Sequence, residues 1–184
     1  MKKILTTAVF FILCLVGAHA QKGQITISPG LEIGLPIGDF WESSKLGLGL
    51  TGKGLYGIND MGDVTFTLGF IRFGMKNIDG ADGVKASTSL IPILPGYRYK
   101  FSEKFYGEGQ LGLTVVRSKM KISGLAGSII GLGGFNSSST NLGYAVGVGY
   151  LYDQFDFGLR YQGVSADDGS LSLIGIRAAY NIPL

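Results

Sequence analysis

Beyond residue 20 the sequence holds neither cysteine nor histidine; its one cysteine, Cys14, and its one histidine, His19, both fall before that point. A disulfide, a thiolate nucleophile and an imidazole base are therefore missing from the rest of the chain. Zinc and haem sites and serine–histidine hydrolases lose their defining residues with them. Long apolar runs are scarce too. The stretch from Ile4 to Val16 is too short for a comfortable membrane-spanning helix, and nothing later is long enough for one. Charge is thin at 16% of residues, against roughly 25% in soluble domains. No segment shows a strong helical period.

The first twenty residues read as a cleaved signal peptide. Lys2 and Lys3 form a basic start, an apolar stretch follows, and Ala18-His19-Ala20 offers a small-residue cleavage site. Removing them lowers the basic residues from 16 to 14 against 13 acidic ones. A balance so even gives no reason to expect a nucleic-acid partner. Residues 21–184 are enough for a single domain.

What is present is alternation. From Asn141 to Tyr152 the even positions Leu142, Tyr144, Val146, Val148, Tyr150 and Tyr152 are large and apolar, while Asn141, Gly143, Ala145, Gly147 and Gly149 are small. A strand turns successive side chains to opposite faces, so this segment has one apolar face and one nearly bare face. Seven more segments alternate, starting near Ile25, Leu46, Val64, Ser87, Phe105, Phe155 and Ile174. Their length suits tilted strands crossing a bilayer. The parity slips after Phe70, where Arg72, Phe73 and Met75 suggest a bulge or the end of the lipid zone. Pro92 and Pro95 cannot donate ladder bonds, which predicts local irregularity.

Tight turns are expected at 59–62, 102–103 and 153–154, and longer links at 39–43, 76–85, 121–140 and 165–170. Short turns at one end and long loops at the other are the habit of outer-membrane barrels. A soluble barrel would also alternate, with its large residues inward. Here the opposite face is mostly glycine, alanine and threonine, where a soluble exterior would carry many lysines and glutamates. Eight strands also enclose too little space for six bulky residues each. Aromatics at Phe40, Trp41, Tyr56, Tyr99, Phe101, Phe105, Tyr152 and Phe155 recur near segment ends, as interfacial girdles do. The pattern predicts an all-β fold, an eight-stranded antiparallel up-and-down transmembrane β-barrel in the outer membrane.

Residues 25–38, Ile91-Pro92 with Gly96-Tyr97, and Gly147-Val148-Gly149-Tyr150 give the chain a resemblance over nearly all of its mature length. It resembles the small outer-membrane β-barrel domain families, which include the PorT-like group and the OmpA and OmpX barrels. Such barrels often end in an aromatic residue. This sequence ends Tyr180-Asn181-Ile182-Pro183-Leu184, keeping the alternation without the aromatic.

Motifs for chemistry are weak. The glycine patterns at Gly47-Gly49-Gly52 and Gly107-Gly109-Gly112 lie inside alternating strands, without the strand–turn–helix context that a phosphate cradle needs. Ser118 and Lys121 match S-x-x-K with no further support, and residues 77–83 read as a solvated turn rather than a calcium loop. No cofactor is implied.

Two groups remain. Parity sends Glu32, Lys53, Arg98, Lys100, Glu108, Asp156, Arg160 and Arg177 into the barrel, where charges persist only if paired or hydrated. Leu125, Ile129, Ile130, Leu132 and Phe135 form an apolar loop that would either bind a protein or lipid partner or fold over the mouth. The expectation is a monomeric, non-enzymatic barrel with a structural or interaction role through its extracellular loops. Outer-membrane lipid and lipopolysaccharide, near Lys119 and Lys121, are its other expected contacts. A narrow pore or carrier is the alternative.

Overall fold

The computed structural model describes residues 23–76, 84–122, 135–166 and 169–184. Eight strands follow in order: β1 (Ile25–Ile37), β2 (Ser44–Asn59), β3 (Gly62–Met75), β4 (Val84–Lys100), β5 (Phe105–Ile122), β6 (Phe135–Tyr152), β7 (Phe155–Ala166) and β8 (Gly169–Tyr180). A five-residue helix, α1 (Asp39–Ser43), joins β1 to β2, and a two-residue strand, β9 (Ile182–Pro183), continues the edge of β8 along β1. Every neighbouring pair is antiparallel, and β8 pairs with β1 to close the sheet.

The register fixes the barrel's shape. Ile25 pairs with Tyr56, and the path then runs through Val64, Tyr97, Gly109, Val146, Tyr161 and Ile174. It returns to β1 at Leu35, ten residues along from its start. A stagger of that size tilts the strands by roughly 35–45° and leaves an interior only wide enough for side chains.

Local chemistry makes the tight turns. Asn59 Oδ1 accepts a hydrogen bond from Met61 N at 3.0 Å, and Ser102 Oγ accepts from Lys104 N and Phe105 N. Asp153 takes a positive φ of 54°, a conformation that aspartate tolerates better than most residues. β1 begins and β9 ends at this end, which the short turns mark as periplasmic.

The large residues of the alternating sets face outward, among them Leu31, Leu48, Leu68, Leu111, Val146 and Leu159. At the short-turn end the exposed aromatics pack on one another, Phe105 against Tyr150 at 5.0 Å and Phe155 against Tyr180 at 5.4 Å.

The slip expected after Phe70 is present: β3 keeps one register with β4 from Gly62 to Gly74, while the β2–β3 pairing shifts between Ser44 and Gly47, opposite Met75 and Phe73. It marks the end of the lipid zone, where Ile71 and Phe73 point inward and Arg72 outward. Three expectations need correction. Phe40 belongs to no girdle: Gly38, at φ 61° and ψ −145°, makes a turn that suits glycine alone, and α1 then lowers Phe40 into the mouth. There it meets Phe73 edge-on at 5.0 Å. The 121–140 link is shorter than expected, because Phe135 already pairs with Met120 and the strands climb beyond the apolar band. Likewise the 165–170 link is partly strand, since Ala166 pairs with Gly169. The prolines do interrupt the ladder. Pairing lapses between Leu68 and Ile71 opposite β4, and between Ile93 and Gly96 opposite β5, with register kept across both gaps.

Candidate functional site

The lumen is layered. Its lower and middle parts hold a polar network, and its outer end is filled by an apolar cluster of Phe40, Ile71, Phe73, Leu90 and Leu173, with Val116 and Leu171 beside it. Inward parity delivers the polar side chains from every strand but β6, whose inward face is Gly143, Ala145, Gly147 and Gly149.

Glu108 and Asp156 are the hubs. Lys53 Nζ lies 2.7 and 2.8 Å from the two oxygens of Glu108, and Thr65 and Gln110 donate to the same carboxylate. Arg98, 1% exposed, donates through Nη2 at 3.0 Å to both Glu108 and Asp156. Asp156, fully buried, also takes the Tyr106 hydroxyl at 2.5 Å and Arg177 Nη1 at 3.4 Å. Arg177 reaches on to Thr51 and to Ser28. Arg160 Nε donates to Glu32 at 2.9 Å, and its Nη1 reaches Gln110, which links this pair to Glu108. With so many donors around each carboxylate, the desolvation of the charges is largely offset.

The eight charges that parity sends inward fall into three groups. Lys53, Arg98, Glu108, Asp156 and Arg177 form one continuous chain, and Glu32 with Arg160 forms a pair beside it. Lys100 stands apart, bound to Asp63 at 2.9 Å with 29% of its side chain exposed. The two border a cavity of about 700 Å³ at the periplasmic mouth. Asp63 and Tyr106 are the partners that the sequence reading missed. Both share parity with inward neighbours, Asp63 with Thr65 and Tyr106 with Glu108, but Asp63 lies between the turn at 59–62 and the alternating segment that starts at Val64. Of the apolar loop, Leu125, Ile129, Ile130 and Leu132 lie outside the described residues, as does the turn at 77–83. Phe135 sits in β6 rather than in a loop.

The bare face of β6 has a use. The Tyr106 ring lies against Gly149, so close that a Cβ there would overlap its atoms. The Arg98 guanidinium stacks over the same ring at 3.6 Å from its centroid. Gly149→Val is therefore expected to displace Tyr106 and lower stability by about 1–3 kcal/mol, the usual range for overpacking. Urea unfolding in micelles would measure it, and trimming the ring as well with Tyr106→Leu should recover part of the loss. Additive losses in the double variant would contradict the stack.

Several solved structures share this fold. Ail, the attachment invasion locus protein of Yersinia pestis, crystallised with the heparin analogue sucrose octasulfate, is 20% identical with a TM-score of 0.66; the match covers 88% of this chain and all of that one. The N-terminal β-barrel domain of Pseudomonas aeruginosa OprF is 12% identical with a TM-score of 0.57, over 88% of this chain and 100% of that one. Neisserial surface protein A is 15% identical with a TM-score of 0.54, over 87% and 97%. At such identities the likeness is one of fold. No curated protein matches the sequence. The model of the outer membrane protein beta-barrel domain matches residues 7–181, nearly the whole chain. With its closed eight-stranded sheet and apolar exterior, the chain belongs to that family of outer-membrane barrels.

Proposed function

We propose that this barrel is a closed, non-enzymatic and monomeric membrane protein that serves a structural or interaction role through what it holds outside the cell. The observation that carries this reading is the filling of the lumen. A charged network occupies the membrane's depth, and an apolar cluster stands above it. Ions crossing would have to break buried ion pairs and then wet an apolar constriction, both of which are costly. The lack of histidine and cysteine after residue 20 favours a non-catalytic role.

Outside the cell, β4, β5 and β6 stay paired up to Val84, Ile122 and Phe135, whereas β6 and β7 pair only as far as Leu142 and Ser165. The extension is a surface that a protein partner could meet. Arg72, Arg117 and Lys119 are exposed on the outward face of β3 and β5, beyond the apolar band. Cations at that height suit the phosphates of lipopolysaccharide and neighbouring lipid.

Planar-bilayer recording tests the closed lumen. The purified protein is expected to give no steady conductance. Reproducible single-channel steps would instead favour a small pore, with the periplasmic cavity as its vestibule.

A further inference from the structure

Among the described residues, the lumen holds five cations, Lys53, Arg98, Lys100, Arg160 and Arg177, but only four anions, Glu32, Asp63, Glu108 and Asp156. Two pairs close on themselves, Lys100 with Asp63 and Arg160 with Glu32. The other five groups form a chain that runs Lys53–Glu108–Arg98–Asp156–Arg177, so it begins and ends with a cation. One positive charge is left over in a place where an uncompensated charge is strongly disfavoured.

Both ends of that chain border the same cavity. It measures about 30 Å³ and is lined by Lys53, Arg160 and Arg177, with Ala145, Gly147 and Gly158 in its wall and the backbone-adjacent Val146, Val148 and Leu159 of the outward face on its β6–β7 side. That is more than the roughly 10–15 Å³ a single water needs, so a small ion fits. Lys53 Nζ has three protons and spends two on Glu108, so one remains to donate. Arg160 Nη2 lies 2.8 Å from Glu32 yet makes no hydrogen bond there, which leaves its donors free as well. Glu108 also borders the cavity, but Lys53, Arg98, Thr65 and Gln110 engage its two oxygens.

We infer that this cavity is a site for a single monovalent anion of halide size, held by Lys53, Arg160 and Arg177. Water would satisfy donors without cancelling the charge. A halide does both, and by bridging Lys53 and Arg177 it joins the open chain into a neutral ring. The small residues of β6 and β7 leave the space for it. Nothing here depends on whether the barrel conducts.

The test begins with wild-type protein refolded from urea into micelles in chloride, bromide or gluconate at equal ionic strength. A saturable rise in the temperature of the heat-dependent gel shift is expected with either halide and not with gluconate. Lys53→Met, which removes the excess charge, should make the three salts equivalent. Crystals grown in bromide give the decisive reading, because wild-type protein alone is needed. An anomalous peak within hydrogen-bonding distance of Lys53 Nζ is expected. Water density or an empty cavity, with bromide absent or only on the exterior, would overturn the assignment, as would identical stability of the wild type in all three salts.

Discussion

Asp156→Ala should lower the barrel's unfolding free energy by about 3–5 kcal/mol, the usual result of removing one partner from a buried ion pair. Asp156 is fully buried and accepts from Arg98, Arg177 and Tyr106 at 3.0, 3.4 and 2.5 Å. Among the described residues, its loss leaves Arg98 paired with Glu108 alone and takes from Arg177 the one carboxylate within ion-pairing distance. The Tyr106 hydroxyl is stranded too. Asp156→Asn keeps the shape and an acceptor, so it should fall between the two. Arg160→Ala should also destabilise, but less, because it breaks one pair rather than a hub. The fluorescence of Trp41, the single tryptophan, through a urea titration in micelles would read all three, with the gel shift as a check. Wild-type stability in both Asp156→Ala and Arg160→Ala would remove the idea that the network holds the barrel together.

The sequence carried the charges but not their pairing. Each of the eight inward charges follows from the parity of its strand, which one segment suffices to reveal. Partnership depends on register and stagger. Lys53 reaches Glu108 across the lumen, fifty-five residues away, and no local pattern encodes that distance. Asp63 shows the same limit from the other side. Its parity is inward, but a residue so close to a turn is hard to assign until its register opposite Arg98 is known. The apolar cluster was the least legible part. A leucine or phenylalanine looks the same in lipid and in a sealed lumen, so Phe73 and Met75 read as a bulge or the end of the lipid zone, and the inward Ile71 was not singled out. Phe40 read as a girdle residue because the turn at Gly38 that swings it inward lies outside any alternation. Glycine was ambiguous until its neighbours were known. Gly149 could have been mere filler; the ring of Tyr106 makes it a contact surface.

Phe73 and Arg72 separate the two readings of β3 by experiment. If the strand bulged after Phe70, Phe73 would face lipid and lose little on truncation. In the continuous register its ring is fully buried, packs edge-on against Phe40, and rests over Gly34, where a Cβ would come within 2.8 Å. Gly47 lies under the same ring. Phe73→Ala is therefore expected to cost about 3–5 kcal/mol, the range for emptying a packed aromatic site. Arg72 points outward and touches Ser87 at 3.2 Å, so Arg72→Ala should change stability by no more than about 0.5 kcal/mol. Urea unfolding of both variants under identical micelle conditions decides the matter. A large loss for Phe73→Ala beside a near-neutral Arg72→Ala fixes the apolar seal in the lumen. The reverse order would place Phe73 outside, and the outer end of the barrel would then lose the ring on which its closure rests.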